Sequence, residues 1–332
     1  MVAINEPKPR PRLAWIRYGY PISDWQLKRA VGNFRVAILQ PWETQIATKL
    51  KEADPAMTVL AYKCLSSVRD YEPGPVFSSG ISPNQAAELG TTAGVADWAG
   101  YGGHIQQQVW NPTYQEAWVS NVVSEIADSP FDGVMADNDV WEDYYGHGLD
   151  MEQTRAGLET IINQAGTDLN AHGKILVPNI AESRLQEGRW HRHSRYGGGY
   201  EECWLGWGSS GDGWLSIDHC LDQVAAMDDD GLIIARVPGS TKNYTHHLRL
   251  ALASAWVFLP HRDIAVSATG HDKYNGIPLF PDIDLGEIES DIQREGDTFM
   301  RKFQHGEAYV NLGDEINEYG MPPKTGKLVT RE

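Results

Sequence analysis

Along this 332-residue chain, short runs of apolar and β-branched residues alternate with longer stretches whose apolar residues recur at helical spacing. That alternation marks βα units, in which each helix returns the chain to the starting edge so that successive strands lie parallel. Eight strands are predicted, over residues 13–18, 34–40, 57–63, 132–137, 175–179, 198–204, 232–236 and 264–268. Helices are predicted from Ser23 or Asp24 to about Val31, and over residues 42–53, 83–89, 112–127, 151–172, 217–227 and 244–258.

Eight alternating units give an α/β fold of the (β/α)8 TIM-barrel type. A dinucleotide-binding sheet normally uses six strands and carries G-x-G-x-x-G after the first, which this sequence lacks. The expected organisation is an N-terminal arm (1–12), a barrel (13–302) and a short C-terminal β-rich extension (303–332). The extension contains Ala308-Tyr-Val-Asn and Lys327-Leu-Val-Thr, and either packs on the barrel or joins a partner.

Barrels of this kind carry their chemistry at the C-terminal ends of the strands, where the βα loops build a polar mouth. Those ends read Arg17 and Tyr18, Gln40, Lys63, Asp137, Asn179, Glu201 and Glu202, and Arg236. Asp137 stands out, because it closes an apolar strand and is followed by Asn138 and Asp139. Asp139 reads as a helix cap or loop ligand that also borders the substrate. Glu201 and Glu202 offer a second carboxylate, and strand alternation sends only one of them inward. Two carboxyls across one mouth are what glycosidic cleavage requires, one protonating the leaving oxygen and the other attacking or activating water. An apolar wall such as Trp204 would help keep the acid protonated.

Lys63 is expected to bond substrate or Asp137; a Schiff-base lyase is the competing reading of the same residue. His191/His193 and the adjacent His246 and His247 lack the spacing of a helical metal site, and neither a G-x-S-x-G elbow nor a P-loop is present. No metal or other cofactor is called for. Cys64, Cys203 and Cys220 are too few and too scattered for a disulfide framework.

Composition narrows the substrate. A net charge of −17 opposes nucleic acid and anionic membrane as partners, and suits a neutral or weakly charged polysaccharide or oligosaccharide. The 12 Trp and 14 Tyr cluster partly in polar, Gly-rich segments around Trp141–Tyr145 and Trp204–Trp207, where ring faces suit sugars. Residues 251–259, the longest apolar run, are too few to cross a bilayer, and the N-terminus shows no signal-peptide core. The cytoplasm is the expected location, or the virion if the gene belongs to a phage, with a bacterial envelope glycan as target and tail proteins or further copies as partners. A catalytically silent barrel serving glycan binding or tail structure is the alternative from another class.

The segment Phe131-Asp-Gly-Val-Met-Ala-Asp137-Asn138 resembles the "YDGVFLDN" strand of glycosyl hydrolase-like family 15 and the related endo-polygalactosaminidase group. Tyr18, Pro178-Asn179, Gly198-x-x-x-Glu202, Asp284-Leu-Gly286, Arg301 to Gly306 and Val310-Asn311 extend the resemblance over residues 13–330. It implies a barrel glycoside hydrolase with an Asp on strand four paired with an acid on strand six. It favours Glu202, four residues after Gly198; Gly197 stands four before Glu201, so both registers stay open.

Overall fold

The computed structural model describes residues 9–19, 21–93, 98, 100–207, 213–239, 244–271 and 273–331. Most of the expected N-terminal arm, residues 1–8, lies outside them. The strands are β1 (Arg12–Arg17), β2 (Val36–Leu39), β3 (Thr58–Cys64), β4 (Gly133–Asp137), β5 (Ile175–Pro178), β6 (Gly198–Glu201), β7 (Leu232–Pro238) and β8 (Ile264–Thr269). All neighbouring pairs are parallel, in the order β5-β4-β3-β2-β1-β8-β7-β6. The two ends of that order meet. Leu176 donates its amide to Tyr196 O at 3.1 Å, and Ile180 donates to Tyr200 O at 2.7 Å, closing the ring between β5 and β6.

The strands read as nearly continuous apolar runs because both of their faces are buried. One face, with Ile16, Ile38, Leu60, Met135, Val177 and Ile234, fills the barrel. The other, with Trp15, Leu39, Val59, Val134, Leu176 and Ile233, meets the helices. Each strand's successive residues therefore belong to different cores, and this parity decides which strand-end side chains reach the mouth.

The helices are α1 (Asp24–Ala30), α2 (Thr44–Ala53), α3 (Pro83–Leu89), α4 (Pro112–Ile126), α5 (Met151–Ala171), α6 (Arg189–Ser194), α7 (Ile217–Met227) and α8 (Tyr244–Phe258). Their starts follow local chemistry. Ser23 and Gln26 form a reciprocal capping box on α1, Asn111 caps α4 ahead of Pro112, and Asp150 accepts from Glu152 and Gln153 at the head of α5. The short α6 was not predicted, since six residues carry too little periodicity to register.

The sixth strand differs from its predicted span of 198–204. It stops at Glu201, and residues 202–205 turn, with Leu205 at φ 61°. At its start, Gly197 and Gly198 have φ 140° and 156°. A Cβ on Gly197 would lie 2.4 Å from Ile175 Cβ, and one on Gly198 2.2 Å from Leu232 O. Only glycine lets β6 enter so close to both neighbours.

Beyond the barrel, β9 (Gln293–Glu295), β10 (Thr298–Phe303), β11 (Gly306–Asn311) and β12 (Thr325–Thr330) form an antiparallel sheet in that order. Phe303 packs edge-on against Trp256 and Phe299 against Phe258, so the sheet shares the core formed with α8. Among the described residues, no helix is long and apolar enough to cross a membrane.

Candidate active site

Asp137 ends β4 on the barrel's inner parity and opens into a cavity of about 890 Å³ at the C-terminal mouth. Glu202 reaches the same cavity because the chain turns immediately after β6. Asn179, just past β5, stands between them. Its Nδ2 donates to Asp137 Oδ1 and to Glu202 Oε2, both at 2.8 Å. One amide nitrogen thus holds an oxygen of each carboxyl.

Asp137 accepts further bonds from the Tyr62 hydroxyl at Oδ2 (2.6 Å), from the Asn138 amide at Oδ1 (2.9 Å) and from Asn138 Nδ2 at Oδ2 (3.1 Å). Asn138 delivers both because it adopts φ 68°, a left-handed conformation tolerated by asparagine, and Tyr145 OH fixes its side-chain oxygen at 2.8 Å. Arg69 Nη2 donates to Tyr62 OH at 2.6 Å, while Nη1 is engaged by Glu72 and Ser78. Glu202 Oε1 accepts a short bond from Tyr274 OH and lies 3.7 Å from His271 Nδ1. Arg236 donates to the Glu202 carbonyl and to Thr269 O, each at 2.9 Å, below the pair.

Burial raises the Asp137 pKa, and the neighbouring Glu202 charge adds to this against the bonds from Tyr62 and Asn179. Burial also pushes Glu202 upward, but the charges of His271 and Arg236, with bonds from Tyr274 and Asn179, bring it below the usual carboxylate value. The two carboxyls are thus pushed in opposite directions by their different neighbours, Asp137 up and Glu202 down.

The other predicted residues divide by parity. Tyr18 and Gln40 line the cavity with Asp137, Asn179 and Glu202, and so does Asp139. Asp139 is anchored from behind by His193 Nδ1 at 2.7 Å and Arg189 Nη2 at 3.2 Å, which hold its carboxyl low against burial.

Arg17 points to the outer side, where it donates to Pro21 O at 3.1 Å. Lys63 faces the helices, bonded to Glu125 Oε2 at 2.8 Å and Phe77 O at 2.7 Å, and reaches neither Asp137 nor the cavity. Glu201 is also turned outward, accepting the Ser183 amide at 2.8 Å and the Cys203 amide at 3.0 Å. Trp204 is fully buried in the outer core and is no wall of the cavity, because the strand ends before it. Arg236 supports the pair from beneath rather than lining the mouth.

Sequence reasoning missed Tyr62, Arg69, Tyr274 and His271. Tyr62 precedes Lys63 on the inner parity of β3, so a phase taken from Leu60 and Cys64 would have found it. The other three lie outside the barrel strands, where no periodicity points to them.

Aromatic side chains border the opening. Trp98 and Tyr145 stack with centroids 3.9 Å apart, and Tyr71, Tyr144 and Trp207 line the cavity while remaining 58%, 44% and 48% exposed. Partly bare rings on a polar cavity are surfaces that a sugar face can cover. Among the described residues, no group of three or more His, Cys, Asp or Glu is arranged to hold a metal ion.

The protein is a closed (β/α)8 barrel whose mouth brings two carboxyls and several aromatic rings together. The chain belongs to hypothetical glycosyl hydrolase family 15, whose family model matches residues 51–307. It is a hydrolase, and glycan hydrolysis is the chemistry of its class.

Among solved structures, Ega3 of Aspergillus fumigatus, in complex with galactosamine, superposes with a TM-score of 0.50 at 10% identity, over 83% of this chain and 97% of that one. A noncanonic maltogenic α-amylase, AmyB of Thermotoga neapolitana, gives a TM-score of 0.51 at 10% identity, over 90% of this chain and 85% of that one. At such identity the likeness concerns the fold alone. No curated protein matches the sequence.

Proposed function

We propose that this chain is a retaining glycosidase acting on a neutral or weakly charged polysaccharide, with Asp137 as nucleophile and Glu202 as general acid and then base. The observation that carries this reading is the Asn179 bridge. An oxygen of each carboxyl lies 2.8 Å from one nitrogen, so those two oxygens are at most twice that distance apart. Retaining enzymes place their carboxyls about 5–5.5 Å apart, whereas inverting ones need about 6.5–9.5 Å to admit a water.

The roles follow from the hydrogen bonds. Four donors converge on Asp137, and the Tyr62 proton has no other destination because Arg69 donates to that oxygen. Such a cradle favours the anion and aims it. Glu202, held by the same Asn179, faces the same cavity and is placed to carry the proton.

In the first step an Asp137 oxygen bonds to the anomeric carbon and the glycosidic C–O bond breaks. Its electron pair stays on the departing oxygen, which takes the Glu202 proton. In the second step Glu202 removes a proton from water, the water oxygen bonds to the anomeric carbon, and Asp137 leaves as carboxylate.

The lining supports an uncharged substrate. Arg69 is tied to Glu72, Arg184 to Glu182, and His271 stands beside Glu202, while burial and then the Arg69 charge lower His104 to about 3. The basic groups of the lining thus already face acidic partners or are held from charging, which leaves little to draw an acidic sugar. The exposed rings of Tyr71 and Trp207 favour a polymer that extends beyond the carboxyl pair.

The test is a reducing-end assay over neutral polysaccharides, followed by NMR of the first anomer released. Asp137→Asn and Glu202→Gln are each expected to lose activity by orders of magnitude with the fold intact, and the product should keep the substrate's anomeric configuration. Near-normal activity in both variants would overturn the assignment, and an inverted product would overturn the retaining step.

A further inference from the structure

We infer that His271 sets the proton affinity of Glu202 and thereby the pH range of glycosidic cleavage, an inference that rests on Glu202 being the acid. His271 lies just beyond β8, on the loop that also supplies Tyr274. Its Nδ1 is 3.7 Å from Glu202 Oε1, and its Nε2 faces the Tyr101 hydroxyl at 3.1 Å. Its ring lies against Trp207 with centroids 4.8 Å apart. The imidazole is thus held from three directions, and a change in its charge is felt at a fixed distance from the acid.

Other groups facing Glu202 do not vary in this way. Arg236, on β7, is a permanent cation. Tyr274 donates to Oε1, and burial keeps Tyr274, Tyr200 and Tyr18 protonated well above the ordinary phenol range. Asp137, across Asn179, is the acid's own partner. An imidazole, unlike a guanidinium, can be present either with or without a charge. When His271 is charged it favours the Glu202 carboxylate; when it is neutral, Glu202 holds its proton more firmly and can deliver it to a leaving oxygen. The same charge assists the second step, in which Glu202 must act as a base. His271 is a positioning residue in this scheme, acting through Glu202.

The experiment compares the full chain with His271→Gln and His271→Lys, using 13C-carboxyl NMR to follow Glu202, its resonance assigned by its loss in Glu202→Gln. The expected midpoint rises by about one pH unit or more in His271→Gln, and stays at or below wild type in His271→Lys. Coincident midpoints in folded wild type and His271→Gln would overturn the inference, as would a His271→Lys midpoint that rises with that of His271→Gln, because a merely structural role would move both variants alike. The pH profile of hydrolysis is the separate readout for the underlying reading. If the midpoints move and the alkaline limb of kcat/KM does not follow, His271 tunes Glu202 but Glu202 is not the acid.

Discussion

The Arg69 guanidinium donates to the Tyr62 hydroxyl at 2.6 Å, and so dictates that Tyr62 spends its own proton on Asp137. Removing that proton with Tyr62→Phe takes away one bond to a buried carboxylate, a loss of about 1.5–3 kcal/mol for a bond to a charged group. The Asp137 pKa should rise further. In the proposed reaction Asp137 must be ionised to attack, so the acid limb of kcat/KM is expected to move to higher pH, with a roughly ten- to hundredfold fall at neutral pH. An acid limb that stays in place would show that Tyr62 does not tune Asp137.

Lys63 is expected to matter for folding and not for turnover. It is wholly buried on the outer face of β3 and paired with Glu125, and burial lowers its pKa. Lys63→Met leaves Glu125 without its partner and should lower stability by about 1–3 kcal/mol in denaturant titrations, while kcat changes little. Borohydride trapping with carbonyl compounds is expected to give no adduct at Lys63; an adduct would revive the lyase reading.

Asp139→Asn should act chiefly on stability. The residue borders the cavity, yet its carboxyl is committed to His193 and Arg189, and replacement strands a buried guanidinium at a cost of about 3–5 kcal/mol. Its folded pKa lies below the ordinary 3.8, so its contribution is complete above that value and is lost as pH falls through the folded pKa. Acid unfolding of the wild type should therefore steepen below about pH 4, and the variant should lack that component. Equal acid sensitivity in the two proteins would refute this account.

Glu43 has the opposite sign. Burial lifts it from 4.5 to about 6, against backbone bonds from Gln40 and the charge of Arg17. The stability it adds is complete below 4.5 and is lost as pH rises through about 6. Glu43→Gln is expected to stabilise the fold at neutral pH by about 1 kcal/mol once solvent screening is allowed for, seen as a raised Tm, and to be neutral near pH 4. A variant that is stabilised equally at both pH values would contradict the assignment.

The barrel was legible because its strands are doubly buried, and apolar runs of that kind stand out from any helical period. The same property hid the site. Where both faces are apolar, a sequence does not say which of two successive strand-end residues looks inward. Lys63 was read at the mouth, while Tyr62 beside it is the residue that touches Asp137. Trp204 was placed on a strand that the chain leaves three residues earlier, at Glu201. Asp137, Asn179 and Glu202, which the structure brings into contact, stand out in the sequence because polar groups ending an apolar run are conspicuous. Arg69 reaches the centre from a short strand outside the barrel (Ser67–Arg69), and His271 and Tyr274 from a loop, whose course is set by tertiary contacts rather than by a local pattern.

The glycines opening β6 have a consequence for how the reaction could be altered. Any side chain at Gly197 or Gly198 would wedge the barrel at the junction with β5 or β7, four or five residues before Glu202 and far from any sugar. The seat of Glu202 therefore depends on two backbone contacts at the opposite end of its own strand, which no side chain of the mouth could replace.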